Sequence, residues 1–159
     1  MHYICVVNYK KGLQVPRPKN SRSIHEPPLF TEFKPVGVAA KSLLQNNLSL
    51  DEYEAVRLAD LLELSHEEAA RKMEISRSTF SRLVAVARAK ITDTLVNGKM
   101  LTIGGGNIHF RKNIIRCLNC GYLFKTKINS TLQKCPQCQS DRLQNLAGGF
   151  GHGRCCTKI

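Results

Sequence analysis

The chain has 159 residues, seven cysteines, no tryptophan and a formal net charge of +12. That length holds one modest domain and a small second module, not two full-sized cores. With no run of about 18 apolar residues and no signal-peptide pattern in the opening MHYICVVNYKKG, neither a membrane span nor an exported protein is expected; paired CxxC thiols then point to a reducing cytoplasm. The charge is uneven. Residues 1–48 hold seven Lys/Arg against two acids and residues 99–159 ten against one, whereas residues 49–98 hold seven against nine. Basic flanks of this kind favour a polyanionic partner.

Residues 1–47 are punctuated by Pro16, Pro18, Pro27, Pro28 and Pro35, with Arg17, Lys19 and Arg22 between them. Proline removes donors and fixes φ, so an extended basic arm is predicted, its Phe33–Val38 stretch packing on the segment C-terminal to it. Helical signals begin at Ser49. Ser49 with Glu52 has capping-box spacing, and Leu50, Tyr53, Val56 and Ala59 recur every three residues, which predicts a helix to about Leu62. Ser65 with Glu68 opens a second, short helix carrying Ala69, Ala70 and Met73. Ser76 caps a third, whose apolar face is Phe80, Leu83, Val84, Ala87, Ile91 and Leu95, ending at Asn97-Gly98. The predicted helix-turn-helix domain spans residues 48–98.

Residues 99–115 place two short β-prone runs around Gly104, Gly105 and Gly106, as a hairpin or wing and linker would. Residues 116–144 carry Cys117, Cys120, Cys135 and Cys138, two CxxC pairs separated by 14 residues, which reads as a small β zinc ribbon. Four thiolates suit tetrahedral Zn(II) in a segment too small to fold on apolar burial alone. Iron in a rubredoxin-type centre is the rival occupant, with two disulfides the less favoured reading. Residues 145–159 form a Gly/Cys tail expected to be flexible. The predicted fold is therefore mainly α: a three-helix helix-turn-helix domain followed by a small β zinc ribbon.

In a helix-turn-helix the final helix enters the major groove and its first residues meet base edges. Arg77, Ser78, Thr79, Ser81 and Arg82 fall at that position. Either arginine has the fork that guanine O6 and N7 accept, and the hydroxyls suit bases or phosphates. Arg88 and Lys90, further along, are placed for phosphates. An ordinary three-helix bundle with a solvated polar face is the plainer alternative.

Residues 49–98, above all SLDEYEAVRLADLLELSHEEAARKMEISRSTFSRLVAVARAKITDTLVNGK, resemble the UPF0251 (DUF134) family of predicted DNA-binding proteins, whose helix-turn-helix is similar to sigma-70 region 4. PRPK at Pro16–Lys19 with Arg22, FKPVG at Phe33–Gly37 and GKMLTIGGGN at Gly98–Asn107 extend the likeness over roughly residues 16 to 110. The resemblance implies a prokaryotic transcriptional regulator with Arg77, Ser78, Ser81 and Arg82 toward the bases. Two departures stand out. The family opens at the basic proline motif, so residues 1–14 are extra and Val15 is read as an alternative start. The recognition helix also begins with hydroxyls where sigma factors carry charge, so sigma-type promoter recognition is not implied.

Cys155 and Cys156 near His152 form a candidate second metal or redox cluster, although adjacent thiols do not close a tetrahedral site alone. Cys5, His2, His25, His66 and His109 stand isolated. Gly104–Gly106 lack the Lys-Ser/Thr ending of a P-loop, and no catalytic constellation assembles from local spacing, so no enzyme is expected. The resulting expectation is a cytoplasmic, sequence-specific reader of double-stranded DNA with one structural Zn2+, a candidate homodimer without membrane or small-molecule substrate. The alternatives are a rubredoxin-like iron or metal-responsive redox protein, and an RNA- or protein-binding adaptor.

Overall fold

The computed structural model describes residues 22–110, 112–127, 130 and 134–148. The PRPK motif, residues 1–14, and His152, Cys155 and Cys156 lie outside them.

Three capped helices form the centre. In the first, α1 (Leu50–Val56), the Ser49 N–H donates to Glu52 Oε2 at 2.9 Å in the anticipated capping box. The helix continues as a π-helical turn over Arg57–Leu61, close to its predicted end. Helix α2 (His66–Met73) opens on the Ser65–Glu68 box, and Glu74 ends it in the left-handed region at φ 58°. Ser76 then caps α3 (Arg77–Val96), accepting the Thr79 N–H at 3.2 Å. Leu58, Met73, Phe80 and Val84 bury together between these helices. Leu95 is the exception to the predicted face, 77% exposed. Thr94 takes the inward place, its hydroxyl donating to the Lys90 carbonyl at 2.9 Å and accepting from Asn46 Nδ2 at 3.3 Å.

A mainly α fold is overturned by the strands: eight, in three sheets, surround the three helices among the described residues. The reason lies in the proline-containing arm. It supplies β1 (Arg22–Ile24), β2 (Glu32–Phe33) and β3 (Gln45–Leu48), while β4 (Met100–Ile103) and β5 (Ile108–Phe110) flank the three glycines. Strand β4 lies between β2, antiparallel, and β3, parallel; β5 pairs with β1 in parallel. The runs flanking the glycines thus pair with N-terminal strands, not with each other. Leu48, Leu50, Ala87, Leu101 and Ile103 make a second core cluster where this sheet meets α1 and α3.

The third sheet holds β6 (Asn113–Cys117), β7 (Leu123–Thr126) and β8 (Leu143–Asn145) in the order β7-β6-β8, all antiparallel. Ile114 from β6 and Ala147 after β8 bury in the same cluster as Leu58 and Phe80, so the cysteine module is fastened to the helices by apolar packing.

Candidate functional site

The four cysteines converge at the end of the third sheet. Their sulfurs lie within 4.8 Å of one another, with Cys117–Cys138 at 3.5 Å and Cys120–Cys135 at 3.7 Å. A disulfide needs about 2.05 Å. Four sulfurs each about 2.3 Å from one ion stand about 3.8 Å apart at tetrahedral angles. The cluster therefore matches the dimensions of a metal site, and one ion fits among these ligands.

Two equivalent turns build it. The Cys117 N–H donates to the Tyr122 carbonyl at 2.9 Å and the Gly121 N–H to the Cys117 carbonyl at 3.0 Å. In the second turn Cys135 N–H donates to Ser140 O at 2.8 Å and Gln139 N–H to Cys135 O at 2.9 Å. The residue after each second cysteine is left-handed: Gly121 at φ 75° and Gln139 at φ 61°. Glycine adopts this conformation without cost; glutamine does so under the constraint of its turn.

The thiols titrate apart. The Cys120 and Asn119 backbone amides, with neighbouring thiols, hold Cys117 down at about 6. At Cys120 the Tyr122 amide favours the thiolate, but burial and hydrogen bonds to Cys138, Cys117 and Cys135 outweigh it and push the thiol up to about 12. Like charges this close do not ionise together without a cation, so a metal entering the cluster would displace thiol protons.

The six residues proposed for DNA separate into groups. Arg77, Ser78 and Arg82 are exposed. Thr79 is half-buried, its hydroxyl 2.8 Å from the Ser76 hydroxyl. Ser81 donates to the Arg77 carbonyl at 3.0 Å and bonds His66 Nδ1 at 2.9 Å, tying α2 to α3. Arg88 is exposed but engaged, with Nε and Nη2 on Asp60 at 3.1 and 2.5 Å. Lys90 binds Glu52 at 2.7 Å. Of the basic arm, Arg22 pairs with the buried Asp51 carboxylate.

Pairing sorts the charges of residues 49–98. Arg57, Arg88 and Lys90 each hold a carboxylate, whereas Arg71, Lys72, Arg77 and Arg82 make no ion pair among the described residues. These four sit in the last turn of α2 and the first two turns of α3. Arg71 and Lys72 stand outside the six residues proposed for DNA because those were drawn from the third helix alone; their place beside the turn was the available signal. The slightly acidic composition of this segment conceals a local surplus of cations.

A three-helix unit with strands drawn from both flanks, carrying a four-cysteine β-module, is the class of protein defined here. The chain belongs to the family described as "Protein of unknown function DUF134", which matches residues 13–111. It is 43% identical over 143 residues to a UPF0251 protein of Chloroherpeton thalassium, covering 88% of this chain and 95% of that protein. A UPF0251 protein of Pelotomaculum thermopropionicum is 42% identical over 126 residues, covering 79% and 95%, and one of Methanococcus vannielii is 45% identical over 106 residues, covering 67% and 78%. Because 88% of 159 residues is about 140, the first match necessarily runs through residues 20 to 140 and spans all four cysteines. No solved structure matches significantly. Among the described residues no helix is long and apolar enough to cross a membrane.

Proposed function

We propose that this protein is a sequence-specific DNA-binding regulator that inserts the start of α3 into the major groove, with no enzymatic activity of its own. The observation that carries this reading is the sorting of charge: four cations that make no ion pair among the described residues gather around the turn between α2 and α3. Arg77 and Arg82 read guanines through their forks, Ser78 reaches a base or phosphate, and Arg71 and Lys72 hold the phosphate backbone. A single unit of this kind reads few bases, so a homodimer on a paired site is part of the proposal.

Zinc is the proposed occupant of the cysteine cluster. It would be held by Cys117, Cys120, Cys135 and Cys138, supplying tetrahedral cross-linking and no redox chemistry. The same sulfurs accept iron; colourless protein with one zinc separates the readings from each other, since an iron-thiolate centre absorbs visibly. Selection of bound duplexes from a random-sequence pool tests the DNA reading. One enriched motif whose binding weakens with salt supports it; no enrichment, or better competition by structured RNA, contradicts it.

A further inference from the structure

A cleft of about 250 Å³ separates the π-helical turn of the helical unit from β7 of the cysteine module. Its apolar walls include Leu29, Leu61, Leu123 and Leu146. Three of these are large apolar side chains left open to solvent, Leu61 at 73%, Leu29 at 48% and Leu123 at 45%. Nothing in the packing of the core requires that exposure. The helix lining the cleft is also wound irregularly, as π over Arg57–Leu61, a distortion that recurs at functional sites.

The polar groups at the cleft are arranged around one carboxylate. Arg57 gives Nε and Nη2 to the fully buried Glu54, at 2.8 and 2.9 Å, which leaves Nη1 pointing to Glu26 at 3.3 Å. Lys125 reaches the other oxygen of Glu26 at 3.4 Å. Both bonds are long, and the Glu26 side chain is 48% exposed. Glu26 therefore sits loosely in a two-cation seat beside apolar walls.

We propose that this cleft binds a small carboxylate with an apolar body. The ligand's carboxylate displaces Glu26 from Arg57 and Lys125, and its hydrocarbon part covers Leu61, Leu29 and Leu123. Charge complementarity fits this occupant: with Glu26 swung out to solvent, Glu54 is the one carboxylate left to Arg57 and Lys125 among the described residues, so the ligand's negative charge takes the balancing place of Glu26. Such a ligand bridges the helical unit and the cysteine module. The site stands on the cleft itself, and its failure would leave the DNA reading intact.

Octanoate is the probe and octanol, which keeps the chain but not the charge, its control. In the metal-loaded full chain, octanoate should shift the methyl resonances of Leu61 and Leu123 with a dissociation constant on the order of 1 mM. Glu26→Gln removes the resident carboxylate and should tighten octanoate by up to about five-fold without tightening octanol; Lys125→Met should weaken octanoate. No shift at these methyls would overturn the proposal. So would a Glu26→Gln variant that binds octanoate no better, or gains equally for octanol.

Discussion

Arg88 closes on Asp60 through two hydrogen bonds, at 3.1 and 2.5 Å, whereas Arg82, six residues earlier on the same helix, has no ion-pair partner among the described residues. The contrast decides which α3 arginines are available to a polyanion. Asp60→Asn should release Arg88, raise affinity for all duplexes alike and steepen the salt dependence by about one counterion. Arg88→Ala in the native background should change DNA affinity less than Arg82→Ala. Anisotropy titrations at several salt concentrations check both.

Gly106 and Asp51 are matched as closely. A β-carbon on Gly106 would stand 2.9 Å from Asp51 Oδ1, at a backbone φ of +98°. Asp51 is buried and ion-paired to Arg22, so it has little room to retreat. Gly106→Ala should destabilise the fold by about 3 kcal/mol, adding a steric clash to left-handed strain. Gly105→Ala, with nothing within 4 Å at φ +73°, should cost only about 1 kcal/mol. Chemical denaturation of the two variants separates clash from strain.

Three carboxylates should contribute to the acid limb of helix stability. Hydrogen bonds from Arg88 lower Asp60, those from Ser65 lower Glu68, and those from Lys99 and Asn97 lower Asp93. A depressed carboxyl adds stability that is fully present above its unfolded pKa of about 4 and is lost as pH falls through the folded value. Their contribution to helix stability, followed by circular dichroism in the metal-saturated chain, should therefore be flat from neutral pH to about 5 and fall below about 4. Asp93→Asn should make the acid limb shallower.

The helices were legible in the sequence because their signals are local. Ser49, Ser65 and Ser76 each cap within three residues of themselves, and each does so in the structure. The β-prone runs flanking the glycines and the β character of the cysteine module were legible as well, but the three N-terminal strands and the pairing of the sheets were not. Arg22 pairs with Ile108 and Gln45 with Met100, partners too distant for periodicity to register, and β2 is only two residues long. Thr94 replacing Leu95 on the inward face follows from Asn46, a residue of one of those strands. The cysteine spacing announced the cluster. It could not announce that Arg22 and Lys125, two cations of the basic flanks, would be partnered by Asp51 and Glu26.

With the proposed metal in the cysteine cluster, its removal should reach beyond the cysteine module. Ile114 and Ala147 belong to the helical core, so a released module withdraws part of that core's cover. Chelation at neutral pH should abolish the β7-β6-β8 sheet and also lower the melting temperature of the helices, with one metal ion released per chain. Cys117→Ser should reproduce the effect without a chelator. Unchanged helix melting would show the two parts to be independent.

The most direct test of the account is the affinity of Arg77→Ala and Arg82→Ala for the selected duplex and for a scrambled one. Each variant should lose about 1 to 3 kcal/mol on the selected duplex while binding the scrambled one little changed, because base contacts discriminate and phosphate contacts do not. Arg71→Ala and Lys72→Ala should weaken both duplexes alike. Equal losses on both duplexes for Arg77→Ala and Arg82→Ala, or no loss at all, would contradict the placing of α3 in the major groove.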